Sequence, residues 1–101
     1  MTGSILPNKF KGRVPVVLNK GNGAIIELEK GRFLVNKETT VGQFMCMLRQ
    51  KNKISPTEAI FVFCNNVLPP TSASMLDLWN EHHDDEDDIL YLTISKENTF
   101  G

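Results

Sequence analysis

At 101 residues, the chain is one domain able to bury a single core, roughly 60–70% of its unfolded surface. Apolar residues make up 41% of it, yet no run approaches the ~18–20 residues of a membrane span. Met1-Thr2-Gly3-Ser4-Ile5-Leu6-Pro7 also lacks the apolar stretch of a secretory leader. The net charge of −1 hides an asymmetry: residues 1–53 carry ten Lys or Arg against three acids, residues 54–101 one Lys against nine. That split predicts an acidic partner for the first half. Nucleic acid is not expected, because the basic residues are spread through strand-like segments without interleaved aromatics or a known binding motif.

Residues 1–12 predict a loosely structured arm, since Pro7 and Gly12 interrupt any helix. Val14 to Leu18 reads as a strand, with Val14, Val16 and Leu18 on one face and Pro15 and Val17 on the other. Pro15 cannot donate to a ladder and is expected at a strand end or an open edge. Gly21-Asn22-Gly23 is a turn. Arg32-Phe33-Leu34-Val35 is a second short strand, entered through a turn at Lys30-Gly31.

Thr40-Val41-Gly42-Gln43 is a capping box. It opens a helix with Val41, Phe44 and Leu48 on one stripe. Ser55-Pro56-Thr57-Glu58 repeats the capping pattern, but only one turn follows it. Ile60 to Phe63 is a dense strand. Asn65-Asn66 suits a hairpin turn, because Asn tolerates positive φ. Val67-Leu68 forms a short segment ended by Pro69-Pro70. Ser74 caps a second helix whose Met75, Leu78, Trp79 and His82 share a face, which makes Trp79 a core residue. Ile89 to Ile94 is the last strand. The order strand, strand, helix, strand, short strand, helix, strand predicts an α+β domain of the β-grasp type. In it a mixed sheet packs on one main helix, and the last strand can lie beside the first.

The chain offers little that could do catalysis. Cys46 and Cys64 lie in apolar patterns and read as reduced core thiols of a cytosolic protein. A reactive cysteine needs an electropositive, partly open site, which neither neighbourhood suggests. The run Glu81-His82-His83-Asp84-Asp85-Glu86-Asp87-Asp88 holds many metal-ligand types. It lacks the ordered spacing and turn glycine of a Ca²⁺ loop, and adjacent histidines on a helix point apart. It reads as a solvated acidic loop, unfavourably placed after a helix C-terminus and therefore expected to be locally mobile. Ser, His and Asp occur without the context of a triad. No enzyme, metal or cofactor is expected. Gly101 ends a polar tail, Ser95 to Phe100. A terminal glycine is a chemical handle, because without a Cβ it can enter a narrow enzyme channel.

Several blocks carry a resemblance. Arg13-Val14-Pro15-Val16, Arg32-Phe33-Leu34-Val35, Thr40-Val41-Gly42-Gln43-Phe44, the stretch Phe61 to Met75 and Glu81-His82-His83 occur in order. Together they resemble the GABARAP-type family of autophagy modifiers, ubiquitin-like proteins joined to phosphatidylethanolamine, over about residues 10–101. The resemblance implies a ubiquitin-like domain over residues 13–94, an arm over 1–12 and a conjugation tail over 95–101. Members usually carry two helices before the Arg-Val-Pro-Val block. Here the helical extension is expected to be reduced or absent. Asp88-Ile89 stands where members often have two aromatics, and Asn36 and Thr39 replace residues that are often apolar. Most members continue beyond the glycine, with residues that a cysteine protease removes, and this sequence does not.

The resemblance further implies that the second strand is an open edge onto which a peptide adds, carrying an aromatic residue, two spacers and an aliphatic residue beside acids. Its aromatic pocket would be lined by Pro15, Val17, Arg32, Leu34 and Ile89. The aliphatic pocket would be lined by Phe33, Val35, Phe44, Met47 and Leu48. Lys30, Arg32, Arg13 and Lys51 would draw the acidic flank, chiefly by aiding encounter. Gly101 would be the attached residue. The implied partners are the activating and conjugating enzymes, a deconjugating cysteine protease, cargo receptors and adaptors, and the phosphatidylethanolamine membrane. The protein would be a cytoplasmic monomer with a lipid-anchored pool on autophagosomal membranes. Two alternatives stay open: a non-conjugated adaptor acting only by peptide binding, and a modifier of protein lysines.

Overall fold

The computed structural model describes residues 6–21 and 31–96. Its elements are β1 (Arg13–Lys20), β2 (Arg32–Asn36), α1 (Val41–Lys51), β3 (Phe61–Phe63), α2 (Met75–His82) and β4 (Leu90–Ser95). One sheet runs β2-β1-β4-β3, with β1 antiparallel to β2 and parallel to β4, and β3 antiparallel to β4. The last strand therefore lies beside the first at the centre, as the β-grasp reading expects. The sheet is mixed and the domain is α+β.

Alternation along each strand builds the core. Val14, Val16 and Leu18 of β1 face the helices with Phe33 and Val35 of β2, Val62 of β3 and Leu90, Leu92 and Ile94 of β4. Val41, Phe44 and Leu48 of α1 and Met75, Leu78 and Trp79 of α2 close over them. Each such side chain contributes about 1.5–3 kcal/mol on burial. The Thr40 capping box forms as the sequence requires. Thr40 Oγ1 accepts from the Gln43 N–H at 3.2 Å, and Gln43 Oε1 accepts from the Thr40 N–H at 3.0 Å. Ser74 Oγ caps α2 through the Asp77 N–H. The two helix starts are tied together: the Met75 N–H donates to Thr39 and the Val41 N–H to Ala73.

Several expectations change. Pro15 lies inside a central strand rather than at an end or an edge. The Leu18 N–H donates to Gly31 on the β2 side, so the nitrogen of Pro15 faces β4. Pairing with β4 begins one residue later, at Val16↔Leu90. The missing donor thus falls where no ladder bond is needed. Among its described residues the arm forms one 3₁₀ turn, Asn8–Phe10, fitted between Pro7 and a left-handed Lys11. Val67-Leu68 makes only one bridge, Cys64↔Val67. Asn65 and Asn66 form the expected turn with φ of 51° and 66°.

Cys64 is buried, but Cys46 is exposed. Two positions from Phe44 is about 200° around a helix, so Cys46 points away from the core. His82 is exposed too, with Nδ1 2.8 Å from Asn65 Nδ2. It is His83 that turns back to stack on Trp79, ring centroids 3.9 Å apart. The acidic run folds into a closed turn. Asp84 Oδ1 accepts the Glu86 and Asp87 N–H groups, and the Asp84 N–H donates to Ile89. The Trp79 indole N–H reaches the Asp88 carbonyl at 2.8 Å. The acids that sit badly after α2 find backbone donors within their own loop.

Candidate peptide-binding site

β2 is an edge of the sheet, with no strand beyond it among the described residues. Because Gly31 accepts from Leu18, the backbone groups of Arg32 and Leu34 point off that edge. Its side chains alternate: Phe33 and Val35 are buried toward α1, while Arg32 and Leu34 are exposed on the opposite face. Sequence periodicity alone thus sends two pairs of side chains to two sides of one open strand.

The face opposite α1 carries two cross-strand rows. Arg32, Val17 and Tyr91 are in register across β2, β1 and β4. Leu34 pairs with Pro15. Ile89 precedes Leu90, the partner of Val16, and so stands level with Pro15. The five residues expected around an aromatic pocket are therefore brought together. Leu34 remains 53% exposed, Val17 and Ile89 are half-buried and Pro15 is buried beneath them. Arg13 is exposed at the end of this face, opposite Asn36.

Tyr91 belongs to the same surface and was not foreseen. It is 40% exposed, and its hydroxyl donates to Asp87 Oδ2 at 2.5 Å. That bond holds the Asp87 carboxyl below its ordinary range, and it raises Tyr91, with burial adding to the shift. The Arg32 charge acts on Tyr91 in the opposite sense, so the two ends of the row are within electrostatic reach. The signal was available: Ile89 and Tyr91 are two apart in a strand, hence on one face.

Along the open edge of β2, beside α1, runs a cleft of about 460 Å³ lined by Arg32, Phe33, Leu34, Met47 and Lys51. Of the residues expected around an aliphatic pocket, Phe33 and Met47 line it. Val35, Phe44 and Leu48 lie beneath in the core, at most 3% exposed. Phe44 meets Phe33 edge-on at 5.6 Å and so fixes the floor. Lys51, the last residue of α1, is exposed at its rim. Lys30 and Gly101 lie outside the described residues. The described part of the tail ends at Lys96, whose amine is 2.5 Å from Glu58 Oε2. Among the described residues no group of three or more His, Cys, Asp or Glu could hold a metal ion. No helix there is long and apolar enough to cross a membrane.

The arrangement can seat an extended chain: an open backbone edge, a cleft against α1 on one side, an apolar cross-strand row on the other, and cations at the rim. Comparison with known proteins agrees in fold and sequence. The family described as autophagy protein Atg8, ubiquitin-like, matches residues 2–101. Autophagy-related protein 8 of Cochliobolus heterostrophus is 46% identical over 94 residues, 92% of this chain and 78% of that protein. The Saccharomyces cerevisiae protein of the same name is 43% identical over 97 residues, 95% of this chain and 82% of its own. Among solved structures, Trypanosoma brucei ATG8 superposes with a TM-score of 0.78 at 35% identity, covering 87% of this chain and 76% of that one. Plasmodium falciparum Atg8, in complex with an Atg3 peptide, superposes at 0.76 with 32% identity, covering 89% and 80%. On sequence and fold together, the chain belongs to the Atg8 family of ubiquitin-like autophagy proteins.

Proposed function

We propose that the protein is a modifier conjugated through Gly101 to phosphatidylethanolamine, and that it recruits partners carrying acidic aromatic-x-x-aliphatic peptides. The observation that carries the peptide reading is the edge strand β2 with a cleft beside it against α1 and exposed apolar surface at Leu34 on its other face. The peptide adds to β2 through backbone bonds at Arg32 and Leu34. Its aromatic anchor settles on Leu34, Pro15, Val17 and Ile89, and its aliphatic anchor enters the cleft between Phe33 and Met47. The two anchors supply most of the affinity, at roughly 1.5–3 kcal/mol per anchor before ordering costs. Arg13, Lys30, Arg32 and Lys51 select the acidic flank.

Family membership supports the conjugation reading. An activating enzyme adenylates the Gly101 carboxylate, and an enzyme cysteine displaces AMP to give a thioester. The amine of phosphatidylethanolamine then displaces the thiol, leaving an amide. Two acyl chains make the resulting anchor stable. A cysteine protease reverses the step, and the protein cycles between cytoplasm and autophagosomal membrane. Cargo receptors, adaptors and the conjugating enzyme are the partners of the β2 surface. The P. falciparum relative, seen with an Atg3 peptide, supports a peptide of that last kind. The protein itself is monomeric and catalyses nothing.

The test pairs purified protein with the activating and conjugating enzymes of the family and phosphatidylethanolamine liposomes. The wild type gains a lipid adduct by intact mass and floats with the vesicles, while Gly101→Ala stays soluble and unmodified. Equal conjugation of the variant sinks this mechanism. An acidic peptide that perturbs resonances elsewhere than Arg32–Val35 and Met47 sinks the peptide reading.

A further inference from the structure

We propose that Val67, Leu68 and the recess beside them form a second docking surface, for a protein segment that carries an apolar anchor flanked by Lys or Arg. This surface is separate from β2. In the order β2-β1-β4-β3, β3 is the other edge of the sheet, three strand spacings or roughly 14 Å from β2, and the Cys64–Val67 hairpin follows it. Val67 is 64% exposed and Leu68 42%. They are two of the four large apolar side chains exposed among the described residues, and they are adjacent.

Neither is exposed by a loose loop. Cys64 and Val67 exchange both backbone hydrogen bonds, at 2.8 and 3.1 Å, across the left-handed Asn65-Asn66 turn. Asn65 Nδ2 lies 2.8 Å from His82 Nδ1, which ties that turn to α2. Pro69-Pro70 stiffens the exit from the hairpin. Between hairpin and helix lies a recess of about 210 Å³, walled by Val67, Leu68 and Pro69 on one side and Leu78 and His82 on the other. A rigid apolar patch beside a preformed recess can take one large side chain with little further ordering.

Charge says which segment fits. Glu81 lines the same recess, and its charge reaches Cys64 on the recess wall. Asp77 stands one turn before Glu81 on α2, and both are exposed. No Lys or Arg occurs from residue 54 to residue 95, a span that contains every residue of the recess. Lys or Arg beside the anchor therefore gains on encounter and selection. An acidic peptide of the kind suited to β2 is repelled here, as is an anionic membrane surface.

Three alanine-based helical peptides test this. One carries two Leu on one face flanked by Lys, one the same Leu flanked by Glu, and one the Lys without Leu. Amide shifts of the whole isotope-labelled chain are followed at low salt as each is added. The Lys–Leu peptide should shift Val67, Leu68 and Glu81 and bind about tenfold more tightly than either control. Val67→Ser with Leu68→Ser should weaken it about fivefold while the melting temperature holds. Asp77→Asn with Glu81→Gln should bring the Lys–Leu and Glu–Leu peptides within about threefold. Equal binding by the Lys peptide without Leu means charge alone and overturns the inference. So do shifts centred on another surface, or none at about 1 mM peptide. Self-association of the chain in sedimentation that Leu68→Ser removes would assign the patch to a second copy, and overturns it too. Each of these outcomes leaves the β2 reading where it stands.

Discussion

Lys96 Nζ lies 2.5 Å from Glu58 Oε2 and so joins the root of the C-terminal tail to the turn that follows α1. The hydrogen bond from Lys96, and then its charge, hold the Glu58 carboxyl below its ordinary value of 4.5. A depressed carboxylate favours the folded contact above its unfolded pKa and loses it as pH falls through the folded one. The contact is therefore intact at neutral pH and released only below pH 4.5. Exposed pairs add little to global stability, so the effect is local. The Lys96 amide resonance should follow this acid titration, and Glu58→Gln should flatten it with an unchanged melting temperature at pH 7. A Lys96 resonance that titrates alike in both proteins would detach the tail from Glu58.

Leu34 and Phe44 separate binding from folding. Leu34 is 53% exposed on the edge strand, and Phe44 of α1 is fully buried against Phe33 on the other face. Leu34→Ala should change stability by less than about 0.5 kcal/mol. It should weaken an acidic aromatic-x-x-aliphatic peptide by about 1 kcal/mol, from lost apolar contact. Phe44→Ala should cost about 3–5 kcal/mol in urea unfolding, since it empties the space beneath Phe33. A Leu34→Ala protein that binds as the wild type does would place the peptide elsewhere.

How much of this was legible depends on how far each residue's partners lie along the chain. The strands and caps are local. Alternation at Val14, Val16 and Leu18, the stripe Val41, Phe44 and Leu48, and the Thr40 box all follow from neighbours within a turn or a pleat. Recognising the edge role of β2 required the family resemblance, since periodicity does not say which strand lies outside. Pro15 shows the limit of a local rule. Its missing N–H argued for an edge, and only the register with β4 shows why a central position tolerates it. Val35, Phe44 and Leu48, named for the aliphatic pocket, lie beneath the cleft in the core, and depth of this kind is what a one-dimensional pattern lacks. Tyr91 was missed for the opposite reason. It sits in an apolar run, and its exposure follows from the sheet face on which it falls.

The two cysteines give a final contrast, because α1 and the bridge after β3 treat them differently. Cys46 is exposed on the outer side of α1, whereas Cys64 is buried beside the Asn65-Asn66 turn. Burial pushes the Cys64 thiol up to about 11, and the Glu81 charge adds to the shift. Only the thiolate reacts, so at neutral pH Cys64 is both hidden and protonated. Native protein should take up one equivalent of an aromatic disulfide reagent, at Cys46, and a second only in denaturant. Cys46→Ser should abolish the native reaction with little change in stability. Slow labelling of Cys64 should track unfolding as urea is added, and rapid labelling of Cys64 in native buffer would mean that the Cys64–Val67 hairpin opens without the rest of the domain.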